Sequence, residues 1–149
     1  VALPGWAEVS RRLELSSGWS GRVSCVSMGN PHAAFFGPGV ASFPLERLGP
    51  IIESHPSFPE RINVHVCEVH AADFASLRSW ERGTGLTQAC GTGACATLVA
   101  GVLTGRIARE ARLRLPGGDL RLRWPTTEAS VFKTGPAQVC FEGEWDPLR

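Results

Sequence analysis

Apolar and polar positions alternate along much of the chain, and a period of two predicts strands. Ile62, Val64 and Val66 alternate with Asn63, His65 and Cys67, which predicts a strand over Arg61 to His70. Arg22 to Met28 predicts another, with Val23, Cys25 and Ser27 on one face and Ser24, Val26 and Met28 on the other. Arg12 to Ser16 reads as an edge strand before a Ser16-Ser17-Gly18 turn. Ala33 to Phe36 is a short strand between the Gly29-Asn30-Pro31-His32 cluster and Gly37-Pro38-Gly39. Phe74 to Arg82 reads as the next strand, ending at a Gly83-Thr84-Gly85 turn. Arg112 to Pro116 and Leu120 to Trp124 flank Gly117-Gly118-Asp119 in a hairpin pattern. Leu113, Leu115, Leu120, Leu122 and Trp124 are expected to face the core, and the arginines water. Val131 to Lys133 and Gln138 to Glu142 complete the expected strands.

Two stretches break the period. Leu45, Leu48, Ile51 and Ile52 have helical spacing interrupted at Gly49-Pro50, so one or two short helical turns are expected over Leu45 to Ser54. Thr92 to Thr104 reads as a helix with Thr92 as N-cap and Gly105 just past its end. Ala94, Cys95, Ala96, Leu98, Val99, Ala100, Val102 and Leu103 point all round its axis, the mark of a buried helix. It is shorter than the ~20 apolar residues of a membrane span. The expected fold class is α+β: one domain over residues 1–149, an antiparallel or mixed sheet rolled around a central buried helix.

Composition narrows the partners. A net charge of +1 gives no reason to expect nucleic acid or a membrane surface. The 14 arginines against the single Lys133 reflect a compositional bias more than a binding patch. No segment has the pattern of a signal peptide or a transmembrane helix. The five cysteines, Cys25, Cys67, Cys90, Cys95 and Cys140, are odd in number and form no C-x-x-C pair. Neither a disulfide framework nor a metal site is expected, and free thiols suit a reducing, cytoplasmic compartment. The start at Val1, with Met28 as the only methionine, reads as a fragment or a processed or trimmed product.

The candidate chemistry gathers at Cys90. It stands at the mouth of the buried helix, where the macrodipole places roughly half a positive charge. Such a position lowers a thiol pKa, and Gly91 and Gly93 leave backbone N–H groups open to a carboxylate or phosphate. The functional reading is a reactive thiol beside an anion cradle; the other reading is a structural cysteine beside a tight turn. Cys95, inside the apolar helix, is core packing. Asn30, His32, Asn63, Glu81 and Arg82 are the other polar candidates at strand ends and turns. Each has an ordinary structural reading; together they offer an arginine fork for a carboxylate and neutral amides for orientation. Gly91-Thr-Gly-Ala-Cys-Ala96 also fits the dinucleotide pattern G-x-G-x-x-A, but no apolar parallel strand precedes it.

Six motifs, in order, resemble those of the diaminopimelate epimerase family. They are Val26-Ser-Met-Gly-Asn-Pro-His32, Phe58-Pro-Glu-Arg-Ile-Asn-Val64, Trp80-Glu-Arg-Gly-Thr-Gly85, Ala89-Cys-Gly-Thr-Gly-Ala-Cys95, Leu115-Pro-Gly-Gly-Asp119 and Thr134-Gly-Pro-Ala137. The resemblance runs from about Val23 to Trp145 and is to the carboxy-terminal half of that family. It implies a cofactor-independent, PLP-independent 1,1-proton transfer between L,L- and meso-diaminopimelate, in lysine and peptidoglycan precursor synthesis. Two cysteines act on opposite faces of the α-carbon, and Cys90 matches the second. Glu81 and His32 match groups that assist the thiols. Asn30, Asn63 and Arg82 match residues holding the distal amino-acid end, and Gly91 and Thr92 the backbone that binds the reacting carboxylate. The first cysteine's Ala-Cys-Gly-Asn-Gly-type motif is absent. The resemblance therefore implies the amino-terminal half as partner, with a homodimer left open, and no epimerisation by this chain alone. Alternatives are a proline or hydroxyproline racemase, which shares the two-thiol logic, a non-catalytic binding domain, and a cysteine hydrolase with His32 as base. Phenazine-type isomerases of similar shape lack this cysteine.

Overall fold

The computed structural model describes residues 10–16 and 18–146; Ser17 of the expected first turn lies outside them. These residues form strands β1 (Arg11–Glu14), β2 (Ser20–Ser27) and β3 (Pro31–Phe36), helix α1 (Leu45–Glu53), and strands β4 (Asn63–Ala71), β5 (Phe74–Glu81) and β6 (Gly85–Thr87). Helix α2 (Gly91–Leu103) and strands β7 (Glu110–Leu115), β8 (Gly118–Arg123) and β9 (Phe132–Thr134) follow. All the strands join one mixed sheet in the order β1-β2-β3-β4-β5-β7-β8-β9, with β6 paired to β5. The α+β expectation of a sheet around a buried helix holds.

Two parallel pairings, β3 with β4 and β5 with β7, decide where the helices go. A parallel connection must cross one face of the sheet, and it does so with right-handed sense. The first crossover contains α1 and the second contains α2. Because β5 runs antiparallel to β4, the same handedness sends the second crossover over the opposite face. The side chains follow that division. Val23, Ala33, Phe35, Val64 and Val66 pack with Leu45, Leu48 and Ile52 on the α1 side. Val26, Ala34, Cys67, Ala75 and Leu77 pack with α2. The sheet curls enough that β2, β3, β4, β8 and β9 all touch α2.

Every residue of α2 from Gly93 to Gly101 is buried. Burying Leu98 and Val99 contributes about 1.5–3 kcal/mol each. That offsets Gly91, Gly93 and Gly101, each about 1 kcal/mol poorer than alanine in a helix. Helix α1 runs unbroken through Gly49-Pro50, contrary to the expected interruption. Gly49 lies against the Trp80 ring, where a Cβ would come within 2.6 Å. Burial of Leu45, Leu48 and Ile52 then outweighs the ~3 kcal/mol penalty of an interior proline.

Three further expectations need correction. The β7–β8 turn is Pro116-Gly117, because Leu115 pairs with Gly118 and Asp119 lies within β8 opposite Arg114. Strand β6 follows the Gly83-Thr84 turn and was not foreseen. Residues 138–142 form no strand: no neighbour pairs with them, and Val139, Phe141 and Trp145 are 77%, 86% and 86% exposed. Leu113, Leu115, Leu122 and Trp124 are buried, with Leu120 packed against them, as the alternation predicts. Neither helix is long and apolar enough to cross a membrane.

Candidate active site

Strand alternation brings the polar candidates to one place. The registers His32 opposite Asn63 and His65 opposite Ser79 put all four side chains on the α2 face of the sheet. Glu81, two residues beyond Ser79, shares that face. The first turn of α2 lies over this layer. A Cβ at Gly93 would run into the His65 imidazole, and one at Gly91 into the Lys133 ammonium. Close approach therefore requires a glycine at Gly93, against a buried ring, whereas at Gly91 the neighbour is the flexible end of a lysine side chain.

Cys90 is the N-cap of α2, in extended conformation with φ −127° and ψ 103°. Its carbonyl accepts the Ala94 N–H at 2.9 Å, which opens the helix two residues before the expected Thr92 cap. Thr92 instead sits in the first turn, its hydroxyl 3.8 Å from Cys90 Sγ. Gly91, Thr92 and Gly93 supply the N–H groups that a helix start leaves without intrahelical partners.

Cys90 is only 3% exposed. Burial pushes its pKa up; the Gly93 N–H and the Thr92 hydroxyl pull it down, and the adjacent Glu81 carboxylate pushes it up again. The net direction is upward, which overturns the expected depression. The side chain makes no hydrogen bond as a cap. Loss of water around the thiolate therefore outweighs the partial charge of the helix end. Near pH 7 Cys90 is held as a neutral thiol. Cys95 is buried in the α2 core, as expected.

His32 and His65 are fully buried. His32 Nδ1 lies 2.8 Å from His65 Nε2, and His32 Nε2 lies 2.9 Å from Asn30 Oδ1. His65 Nδ1 lies 2.8 Å from Ser79 Oγ. Burial pushes the His32 pKa down, against the Glu81 carboxylate and with the Arg82 guanidinium. Burial and then His32 push His65 down. Both rings are neutral near pH 7.

Asn63 ties two strand ends together. Its amide donates to the Pro31 carbonyl at 2.8 Å, and its oxygen accepts the Arg82 N–H at 2.9 Å. One amide N–H and one lone pair remain for a ligand. The Arg82 guanidinium donates to the Glu60 carbonyl at 2.8 Å and is otherwise largely exposed. The turn after Glu81 is held from below by Glu53, which is 3% exposed. Its carboxylate accepts the Trp80 indole N–H at 2.7 Å and the Gly83 N–H at 2.9 Å, with Arg61 at 3.3 Å. Beside this cluster opens a groove of about 340 Å³, lined by Asn30, Pro31, Phe58, Glu60 and Arg61 among others; of the expected residues only Asn30 reaches it.

Asn30 with His32, Asn63 with Arg82, and Glu81 with Cys90 are thus brought together as pairs around the start of α2. His65, Ser79, Glu53 and Lys133 were not foreseen. The usable signal for His65 was its place on the strand face it shares with the candidate Asn63. A buried thiol flanked by a carboxylate and by open helix N–H groups can give a proton to a carbanion and hold a carboxylate beside it.

Solved racemases and epimerases share the fold. A probable proline racemase from Agrobacterium radiobacter K84, solved with bound carbonate, aligns with TM-score 0.61 and 17% identity, over 95% of this chain and 52% of that one. A hydroxyproline epimerase from Agrobacterium vitis aligns with TM-score 0.57 and 18% identity, over 81% and 42%. At these identities the likeness is one of fold. The diaminopimelate epimerase family model matches residues 24–140. The diaminopimelate epimerase of Microcystis aeruginosa is 54% identical over 121 residues, 81% of this chain and 43% of the relative. That of Nostoc punctiforme is 49% identical over 136 residues, 91% and 48%. The chain belongs to the diaminopimelate epimerase family. It spans about half the length of the curated relatives it matches.

Proposed function

We propose that this chain is one half of a cofactor-independent epimerase that interconverts L,L- and meso-diaminopimelate, with Cys90 as one of two acid/base thiols. The supporting observation is the buried Cys90 thiol at the start of α2 with Glu81 against it. The thiol is the proton donor in this reading. A thiolate from the other half takes the α-proton, and the Cys90 S–H bond breaks to protonate the opposite face of the same carbon. Cys90 ends as the thiolate, which the Gly93 N–H, the Thr92 hydroxyl and the helix end then stabilise. The reverse direction starts from that state.

The Gly91 and Thr92 N–H groups bind the reacting carboxylate. Asn30, Asn63 and Arg82 hold the distal amino-acid end, and Glu81 and His32 set the field around the thiol. The amino-terminal half supplies the second cysteine. The exposed Val139, Phe141 and Trp145 support a missing neighbour, since three large apolar side chains in water are stabilised by cover. Identities near 50% to diaminopimelate epimerases favour this substrate over proline or hydroxyproline, where the likeness is one of fold.

The test is exchange of the diaminopimelate α-hydrogen in D2O. The pure chain is expected to give none. Mixed with the amino-terminal half of the Microcystis relative, it is expected to exchange and invert the centre, and Cys90→Ala to abolish both. Epimerisation by the pure chain would sink the half-enzyme reading, and exchange that survives Cys90→Ala would sink the thiol assignment.

A further inference from the structure

The chain Asn30–His32–His65–Ser79 has a direction that its chemistry fixes. Asn30 Oδ1 can only accept, so the proton between it and His32 belongs to His32 Nε2. A neutral imidazole carries one N–H, so His32 Nδ1 accepts, and the proton in the 2.8 Å contact belongs to His65 Nε2. His65 Nδ1 must then accept as well, and its donor is the Ser79 hydroxyl at 2.8 Å. Thr87 lies directly across the ladder from Ser79, and its hydroxyl is the one buried side-chain polar atom without a partner among the described residues.

We propose that His65 and Ser79 are positioning residues that hold His32 in its Nε2–H tautomer and thereby fix Asn30 with its carbonyl inward and its amide donors turned to the groove. Asn30 would otherwise be free to rotate, and the groove would meet either an NH2 or a C=O. With the relay in place it meets donors, which suit a carboxylate and disfavour an ammonium. Gly93 is part of the device, because only a glycine there leaves room for the His65 ring. The charged groups that act on His32 are Glu81 and Arg82, and both lie at the β5 end of the site. That the ligand is a diaminopimelate carboxylate rests on the epimerase reading; the tautomer does not.

The test is nitrogen NMR of the 15N-labelled imidazoles in the chain itself, without substrate, at pH 7. Both His32 and His65 are expected as neutral Nε2–H rings. His65→Gln, whose amide still donates, is expected to keep His32 in that form. His65→Leu is expected to lower the Nε2–H to Nδ1–H ratio of His32 roughly 3–10-fold, the worth of one buried hydrogen bond. Thr87→Val, which removes a buried hydroxyl that makes no bond, is expected to leave both tautomers unchanged and to raise the unfolding midpoint. A wild-type His32 protonated on Nδ1, an unchanged ratio in His65→Leu, or a tautomer shift in Thr87→Val would each overturn the proposal. Expected tautomers together with no exchange by the chain mixed with the amino-terminal half would instead count against the epimerase reading alone.

Discussion

Replacing Gly93 by alanine sets two effects against each other. Helix propensity favours alanine by about 1 kcal/mol or less so near a helix start. Against it, the new Cβ enters the space of the His65 ring, within reach of Cε1, Nε2 and Nδ1. That ring is fully buried and bonded on both nitrogens. Either α2 shifts, an overpacking cost of about 1–3 kcal/mol, or the ring moves and gives up two bonds worth about 0.5–1.5 kcal/mol each. With the propensity gain subtracted, the expected net effect is a loss of about 0.5–2 kcal/mol, equivalent to roughly 2–8 °C in Tm for a chain of this size. Urea unfolding followed by tryptophan fluorescence reads it directly. The decisive comparison is the same substitution in a His65→Ala background, where the clash is gone. There Gly93→Ala should be neutral or slightly stabilising. Equal losses in the two backgrounds, or a Gly93→Ala chain as stable as the wild type, would refute the reasoning.

The buried imidazoles make stability depend on acid. Both pKa values are pushed below the ordinary 6.5, so the unfolded chain binds more protons than the folded one as pH falls below 6.5. Their contribution is therefore present above pH 6.5 and is lost on acidification, with a slope of up to about 1.4 kcal/mol per pH unit per ring. Urea midpoints between pH 7 and 4.5 check it, and His65→Gln should about halve that part of the slope. Cys90, with its pKa pushed up, should be alkylated by iodoacetamide at pH 7 more slowly than the exposed Cys140; peptide mapping with Cys90 reacting first would contradict this. Glu53→Gln removes the charge from a carboxylate that holds Trp80, Gly83 and Arg61, and should lower stability by about 1–3 kcal/mol. Phe141→Ser should leave the unfolding free energy of this chain within about 0.5 kcal/mol, because the ring touches little here.

Strand alternation carried most of the fold: the positions and faces of β2 to β5 and the inward leucines of β7 and β8 follow from period two, while the parallel pairings do not. What local pattern could not carry was long-range contact. Gly49-Pro50 looks like a break until Trp80 is placed beside it. The start of α2 looks like Thr92 until the Cys90 carbonyl is seen to accept the Ala94 N–H. Gln138 to Glu142 alternates like a strand but has no neighbour to pair with. At the site, Cys90 was legible from its glycines and its place before an apolar helix. Its raised pKa was not, because burial depends on everything packed around it. His65 was hidden because β4 is covered on both faces, so neither set of its side chains could be assigned to water from the sequence.

The sheet divides the interior into two compartments that share a backbone but few side chains. The candidate chemistry occupies the α2 compartment, while Leu45, Leu48, Ile52, Val64 and Val66 fill the other. Substitutions more than about 7–10 Å apart, with no common partner, combine additively. The α1 side is therefore where stability can be engineered or lost without disturbing the thiol, the imidazoles or the helix mouth. The Glu53–Trp80–Gly83 linkage is the one route described by which a change in that compartment would be felt at Glu81.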